Sequence, residues 1–186
     1  MILNYLDMTN WTMRSLQLDQ DDEYMLSDEI VGELFPKAVL GSEISHKRQA
    51  LIDFLNENNI ICSVVTNKPH ATAEKLCEIY FGGKLVKCIG DIIGIPRKPD
   101  PTKILGVMNE FDVDEAIYVG DSDVDVKSAR NANIPCISVS WGFRDRDFLI
   151  ENGADILVDN ASELCKEILK IFSLPHLQNK FDEVMK

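Results

Sequence analysis

The chain has 186 residues, of which 45% are hydrophobic, and 31 acidic against 19 basic side chains give a net charge of -12 at pH 7. This length suits one domain, or one domain with a small appendage, and the apolar content is enough to fill a core. The negative charge would repel phosphate backbones and anionic membranes, which argues against nucleic-acid and membrane partners. No apolar run reaches the roughly 18 residues of a spanning helix and no signal peptide opens the chain, so we expect a cytoplasmic protein.

The N-terminal segment, residues 1–44, is polar, acidic and mostly helical in pattern. A charge run of this kind is usually the solvated face of a helix. Apolar residues in the segment would bury one side of a helical pair: Trp11, Leu16, Leu18, Leu26, Ile30 and Leu34.

From residue 45 onward, short β-branched runs alternate with amphipathic stretches, which is typical of a parallel sheet covered by helices. The pattern predicts strands at 60–65, 85–89, 116–119, 136–139 and 156–158, and helices at 45–58, 71–80, 101–111, 123–131, 145–151 and 162–172. We therefore divide the chain into the N-terminal segment (1–44), an α/β core (45–172) and a C-terminal tail (173–186).

The five cysteines lack the C-x-x-C spacing of redox or zinc motifs, and their odd number suits a reducing compartment. Several lie in predicted strands, where a small buried hydrophobic role is the ordinary one. We assign no chemistry from the sequence to Cys62, Cys77, Cys88, Cys136 or Cys165.

The stretch "AIYVGDSDVDVKSAR" places Asp121, Asp123 and Asp125 within five positions, directly after a predicted strand. Open α/β sheets form their ligand crevice at such carboxyl ends. Carboxylates this close destabilise the fold unless a cation or hydrogen-bond donors neutralise them. Helix capping is the alternative, with Asp121, Ser122 or Asp123 as the cap and Asp125 in the first turn.

Two other strand ends carry complementary groups. "VVTNKP" offers the Thr66 hydroxyl and the Asn67 amide, and "PRKPDP" holds Lys98 between prolines in a rigid loop. Each string alone is also compatible with an ordinary turn or a solvated charge. Together with the acidic cluster they predict phosphate ligands and a site for a hard cation such as Mg²⁺.

These strings resemble the motifs of the haloacid dehalogenase-like (HAD) hydrolases, and within them the phosphoglycolate phosphatase-like branch. "SVVTNKP", "RKPDP" and "YVGDSDVDVKSARNANIP" are similar to the second, third and fourth motifs, and "SVSWGFRDRDFLIENGADILVDNASEL" is similar to the stretch that follows. The resemblance covers residues 45–170. It implies a Rossmann-like core, a parallel sheet flanked by helices, with residues 1–44 as a short helical cap remnant.

The resemblance further implies a Mg²⁺-dependent phosphatase that acts on a small phosphorylated metabolite through an aspartyl-phosphate. By position, Thr66 would hold the transferring phosphoryl group, Lys98 would neutralise its charge and Asp121 would bind Mg²⁺. The implied phosphate-binding residues are Thr66, Asn67 and Lys98, and the implied metal-site residues are Asp121, Asp125 and Ser122.

The family's first motif, Asp-x-Asp-Gly-Thr, supplies the nucleophile, and no such string occurs in this chain. One interpretation is that the segment bearing it is missing and the chain begins inside the cap. Another is that Ile2, Leu3, Tyr5 and Leu6 form a short strand that delivers Asp7 as the catalytic nucleophile. Fold physics supports some strand there, because an empty central position would expose backbone and apolar groups of its neighbours.

Two functions therefore remain open from the sequence. The chain is a phosphatase, active through Asp7 or with the missing segment restored, or it is a non-catalytic domain that keeps the phosphate and Mg²⁺ pocket as a binding or partner module. The physiological substrate and the oligomeric state are not determined by these motifs.

Overall fold

The computed structural model describes residues 2–3 and 43–185. Within the N-terminal segment, the backbone of Ile2–Leu3 forms a strand. The predicted helical pair, and Asp7 as the candidate nucleophile, lie outside the described residues.

The predicted alternation of strands and helices is present along the described chain. The strands are β1 (Ile2–Leu3), β2 (Ser63–Pro69), β3 (Lys87–Asp91), β4 (Tyr118–Gly120), β5 (Cys136–Val139) and β6 (Ile156–Val158). The helices are α1 (Glu43–Glu57), α2 (His70–Phe81), α3 (Thr102–Glu110), α4 (Asp123–Asn131), α5 (Arg146–Glu151), α6 (Ala161–Ile171) and α7 (Gln178–Val184), with a 3₁₀ turn at Pro175–Leu177. None of the helices in these ranges is long and apolar enough to cross a bilayer.

The strands form one parallel sheet in the order β3-β2-β1-β4-β5-β6. β1 occupies the central position, where Leu3 is level with Val64 of β2 and Val119 of β4. The strand order reverses between β1 and β4, and the carboxyl edge at such a reversal is where this architecture binds ligands. The predicted α/β fold, a Rossmann-like parallel sheet flanked by helices, is confirmed.

Helices cover both faces of the sheet. Successive residues of a strand point to opposite sides, so one strand contributes side chains to both cores. Val64 packs with α1, α2 and α6 in the larger core cluster, whereas its neighbour Val65 packs with α3 and α4 on the other face. The same alternation puts Val119 in the larger cluster and Tyr118 in the smaller one. The central strands are therefore buried on both sides, as their unbroken apolar runs indicate.

The C-terminal tail packs onto this core. Phe181 of α7 is fully buried, and its ring meets the Phe54 ring of α1 edge-on with 5.0 Å between centroids. The Lys180 ammonium lies 5.8 Å from the centroid of the Phe54 ring. The structure therefore adds a packed helix to the part of the chain that the sequence divided off as a tail.

β2 runs further than predicted, because it continues through a bulge at the carboxyl edge. Val65 is level with Ile89 and Pro69 with Asp91, so residues 66–68 of β2 stand opposite Gly90 alone. A side chain at Gly90 would meet the backbone of Lys68 and His70. The bulge thus depends on glycine in the neighbouring strand, and bulges of this kind commonly re-aim side chains beside active sites.

Candidate active site

Each predicted site residue in the described range lies at the carboxyl edge of the sheet. Thr66 and Asn67 are in the β2 bulge, Lys98 is in the loop between β3 and α3, and Asp121 and Ser122 connect β4 to α4. Direct hydrogen bonds connect the three segments through Asn67, Lys98 and Asp125.

Lys98 is a buried cation at the centre of this site. Its Nζ lies 2.8 Å from Oδ1 of Asp125, and the two side chains are 3% and 0% exposed. The same Nζ donates to the Tyr118 hydroxyl over 3.2 Å, and that hydroxyl donates to the carbonyl of Val65 over 3.0 Å. Burial, with the nearby Asp125 carboxylate, raises the pKa of Tyr118 well above its usual value, so the hydroxyl keeps its proton.

Asn67 fixes the backbone of the lysine loop. Its Oδ1 accepts from the Lys98 N–H at 2.9 Å, and its Nδ2 donates to the Lys98 carbonyl at 3.1 Å. Asn131 of α4 donates to the next carbonyl, that of Pro99, at 2.9 Å. The loop is therefore held from both sides, which orients the lysine side chain above it.

Asp125 combines the capping and the functional interpretations of the acidic cluster. Its Oδ2 accepts from the Ser122 hydroxyl at 2.7 Å and from the N–H groups of Asp121 and Ser122 at 3.2 Å. Ser122 and Asp125 form a capping box at the start of α4. No room exists for a side chain at Gly120, where a Cβ would collide with the Asp125 carboxylate.

Asp121 is held by the loop that follows β5. Its Oδ2 accepts from the Phe143 N–H at 3.0 Å, and its carbonyl accepts from the Arg144 N–H at 3.1 Å. A Cβ at Gly142 would overlap the Asp121 carboxylate, so glycine is what lets this loop cradle the acid. The cradle fits a hard cation, because it holds a buried carboxylate in a fixed orientation at the carboxyl edge.

The described residues contain no group of three or more His, Cys, Asp or Glu side chains that could hold a metal ion. Mg²⁺ usually takes only one or two protein carboxylates and completes its shell with water and substrate phosphate. Asp121 would then be the direct carboxylate contact, with Asp125 and Ser122 behind it.

Asp123, the third carboxylate of the acidic cluster, forms an ion pair on the helix surface and not within the candidate site. It pairs with Lys127 one turn later on α4 at 2.7 Å, and Arg144 lies 4.0 Å away. The hydrogen bond from Lys127 is the main cause that lowers the pKa of Asp123, with the Arg144 charge adding to it. The Arg144 guanidinium lies 4.3 Å from the Phe143 ring centroid. A cationic side chain therefore packs on the loop that holds Asp121.

Sequence reasoning missed Tyr118 and Gly142. A signal for Tyr118 was available, since a tyrosine in an aliphatic buried strand needs a hydrogen-bond partner. Gly142 lies in the "SWGFR" string that the resemblance covered without assigning it a role.

The chain matches the haloacid dehalogenase-like hydrolase family over residues 40–139, more than half of its length. It belongs to this family, and its resemblance to the phosphoglycolate phosphatase-like branch is confirmed by its relatives.

Three similar proteins illustrate the relationship. The phosphoglycolate phosphatase of Rhodospirillum rubrum is 32% identical over 135 residues, which cover 69% of this chain and 54% of the relative. A crystal structure named as a phosphoglycolate phosphatase from Lactobacillus delbrueckii subsp. bulgaricus is 34% identical, with a TM-score of 0.63 over 66% of this chain and 52% of that one. An Asp-to-Asn variant of CbbY from Rhodobacter sphaeroides, in complex with xylulose-1,5-bisphosphate, is 27% identical with a TM-score of 0.56, covering 73% and 63%. The chain spans about half the length of the curated relatives it matches.

Proposed function

We propose that this chain forms the core of a Mg²⁺-dependent phosphatase that hydrolyses a small phosphorylated metabolite through an aspartyl-phosphate. The observation that carries the proposal is the buried Lys98–Asp125 ion pair beside the cradled Asp121. The pair lies at the carboxyl edge, where the strand order of the sheet reverses. A buried ion pair stabilises a fold poorly compared with apolar packing, so its presence at the carboxyl edge favours a functional role.

Lys98 and Thr66 are the proposed phosphate ligands, with Asn67 beside them. Two of the three Lys98 ammonium hydrogens are directed to Asp125 and Tyr118, which leaves the third for a phosphoryl oxygen. The Thr66 oxygen accepts from the Lys68 N–H at 3.2 Å, so its own O–H is available to donate. Fixed donors of this kind stabilise charge on the equatorial oxygens during phosphoryl transfer.

Asp121 is the proposed Mg²⁺ ligand, and Asp125 and Ser122 lie behind it as the remaining residues of the proposed metal site. When bound, the ion would neutralise charge on the transferring phosphoryl group. Asp125 has a second task in this proposal, because it holds the Lys98 ammonium and the backbone turn that carries Asp121.

Asp7 is the proposed nucleophile. The support is the position of β1, which fills the central slot between β2 and β4 from which the family delivers its attacking carboxylate. Leu3 is level with Val119, and Asp121 follows Val119 by two positions whereas Asp7 follows Leu3 by four. The proposal therefore requires the chain after β1 to take up two more residues before it presents Asp7.

The proposed substrate is a small phosphorylated compound rather than a phosphorylated polymer. Two of the relatives above carry the name phosphoglycolate phosphatase, and the third was crystallised in complex with xylulose-1,5-bisphosphate. The net charge of -12 also disfavours polyanionic nucleic acid.

The first experiment is hydrolysis of p-nitrophenyl phosphate with and without Mg²⁺ by the 186-residue chain. We expect Mg²⁺-dependent turnover that is lost in Asp7→Asn and kept in the matched control Asp114→Asn, since Asp114 is exposed near the opposite edge of the sheet. Turnover retained in Asp7→Asn would overturn the assignment of the nucleophile. No turnover in any variant, with phosphate and Mg²⁺ still bound, would mean that this chain lacks its own nucleophile, either as a non-catalytic binding module or because the segment bearing the first motif is missing.

A further inference from the structure

Two cysteines outside the candidate active site lie where α2 packs on β3, the edge strand of the sheet. Cys77 of α2 is part of the larger core cluster, Cys88 of β3 packs against that cluster, and both residues line one surface cavity. The two cysteines are not in a C-x-x-C motif. They come together only because α2 packs on the edge strand of the sheet.

The thiol pair is open to small molecules. Cys77 and Cys88 both line a surface cavity of about 420 Å³, together with Glu74, Lys75, Leu85 and Lys87. Cys77 is 7% exposed and Cys88 is half-buried. A small oxidant can therefore reach Cys88 through this cavity, whereas Cys77 is the less accessible of the two.

The two thiols differ in the direction of their pKa shifts. Cys77 donates to the Cys88 sulfur, and this bond lowers the pKa of Cys88 although partial burial opposes it. The same bond, followed by burial, raises the pKa of Cys77. Since the thiolate is the reactive form of cysteine, Cys88 is the natural attacking sulfur and Cys77 the resolving one.

We propose that Cys77 and Cys88 form a peroxide-sensitive pair that closes to a disulfide between α2 and β3. The Cys88 thiolate attacks one peroxide oxygen, the O–O bond breaks, and hydroxide leaves as water after taking up a proton, which produces a sulfenic acid on Cys88. The Cys77 sulfur then attacks the Cys88 sulfur, the S–O bond breaks, and the second hydroxide leaves as water with the Cys77 proton. The two sulfurs lose two electrons in total, and one hydrogen peroxide is reduced to two waters.

The other cysteines lack these features. Burial raises the pKa of Cys62, Cys136 and Cys165 to about 12 in each case. Cys136 is a useful comparison, because it is half-buried like Cys88 and also lies on a strand. Selective oxidation of Cys88 over Cys136 would therefore reflect the Cys77 partner and not exposure alone.

The test is treatment of the full chain with hydrogen peroxide followed by tryptic digestion without reductant and mass spectrometry. A disulfide between Cys77 and Cys88 joins peptide 76–84 to peptide 88–97 and lowers the intact mass by about 2 Da. In Cys77→Ser we expect no disulfide and a Cys88 sulfenic acid that dimedone traps. In Cys88→Ser we expect peroxide consumption to slow by about tenfold or more, and Cys136→Ser should behave as the wild type.

These readouts do not depend on phosphatase activity, so the thiol pair and the proposed function stand or fall separately. Oxidation of Cys62, Cys136 or Cys165 at the same rate as Cys88 would overturn the proposal. So would direct conversion of Cys88 to a sulfinic acid with Cys77 left reduced in the wild-type chain.

Discussion

Tyr118 illustrates at the scale of one residue how the site is built. The sequence shows a tyrosine in an apolar strand, and the structure shows that its hydroxyl connects Lys98 to the carbonyl of Val65. This hydroxyl ties the proposed phosphate-binding lysine to the strand that carries Thr66. Under the proposed function, Tyr118 is a positioning residue that acts through Lys98.

Tyr118→Phe should weaken phosphate binding while leaving the fold intact, because it removes one partner of the Lys98 ammonium but keeps the ring. A hydrogen bond to a charged group contributes about 1.5 kcal/mol, so we expect roughly a tenfold loss of affinity for inorganic phosphate in the presence of Mg²⁺. Isothermal titration calorimetry measures this, with Lys98→Ala as the reference for complete loss of the cation. Tyr80→Phe is the matched control, since the buried Tyr80 hydroxyl has no hydrogen-bond partner among the described residues. Equal effects from Tyr80→Phe and Tyr118→Phe would argue against the positioning role.

Asp121→Asn should weaken Mg²⁺ binding, because an amide replaces the carboxylate in the cradle made by Gly142 and Phe143. We expect a loss of at least about tenfold in Mg²⁺ affinity, measured by calorimetry at saturating phosphate. Asp123→Asn is the control from the same turn, because Asp123 pairs with Lys127 on the helix surface. Unchanged Mg²⁺ affinity in Asp121→Asn would remove Asp121 from the metal site.

At the scale of elements, the bulge in β2 decides where Thr66 and Asn67 lie. Residues 66–68 stand opposite the single residue Gly90, whose N–H donates to Nδ1 of His70 at 3.3 Å. The sequence predicted the end of this strand at residue 65 because "TNKP" is a turn-like string, and strand pairing then carried the element on to Pro69. A bulge depends on two strands at once, so neither strand reveals it alone.

Gly90→Ala should destabilise the chain and disturb phosphate binding together. A Cβ there would lie 2.5 Å from the Cα of His70 and 2.6 Å from the carbonyl oxygen of Lys68, both of which are backbone atoms. Overpacking of this kind costs about 1–3 kcal/mol, and urea unfolding measures the loss.

Gly106→Ala supplies the control for this substitution. Gly106 lies in α3 with open space where the added methyl would lie, so we expect a gain of up to about 1 kcal/mol from helix propensity. A Gly90→Ala chain as stable as Gly106→Ala would mean that the bulge does not require glycine.

At the scale of the whole molecule, the C-terminal helix closes the larger core. Phe181 is fully buried against Phe54, although the sequence around it looks like a polar tail. One buried apolar residue in a short polar helix carries little periodic signal, so this packing was visible only in three dimensions.

Phe181→Ala should lower the free energy of unfolding by about 3–5 kcal/mol, since it leaves a cavity beside Phe54. Val184 on the same helix is 51% exposed. Val184→Ala should therefore change the free energy of unfolding by less than about 1 kcal/mol. Urea unfolding of both variants measures the difference. Similar values for the two would show that α7 does not stabilise the core.

The order of elements was determined by the sequence alone, and the candidate site residues were predicted from it. Strand and helix periods are local, and Thr66, Lys98 and Asp121 each follow a strand within a short recognisable string. Parallel strands then bring their carboxyl ends to one edge, so the location of these residues at one edge of the sheet could be anticipated without coordinates.

Tertiary structure alone decided the contacts that join residues far apart in the chain. It paired Lys98 with Tyr118 and Asp125, placed Gly142 against Asp121, and brought Cys77 and Cys88 to one cavity. Each of these pairs depends on the packing of two separate elements, and no local period or spacing encodes which side chains will meet there. The physical reason is that hydrogen bonding and close packing act through space, whereas the patterns read from a sequence act along the chain.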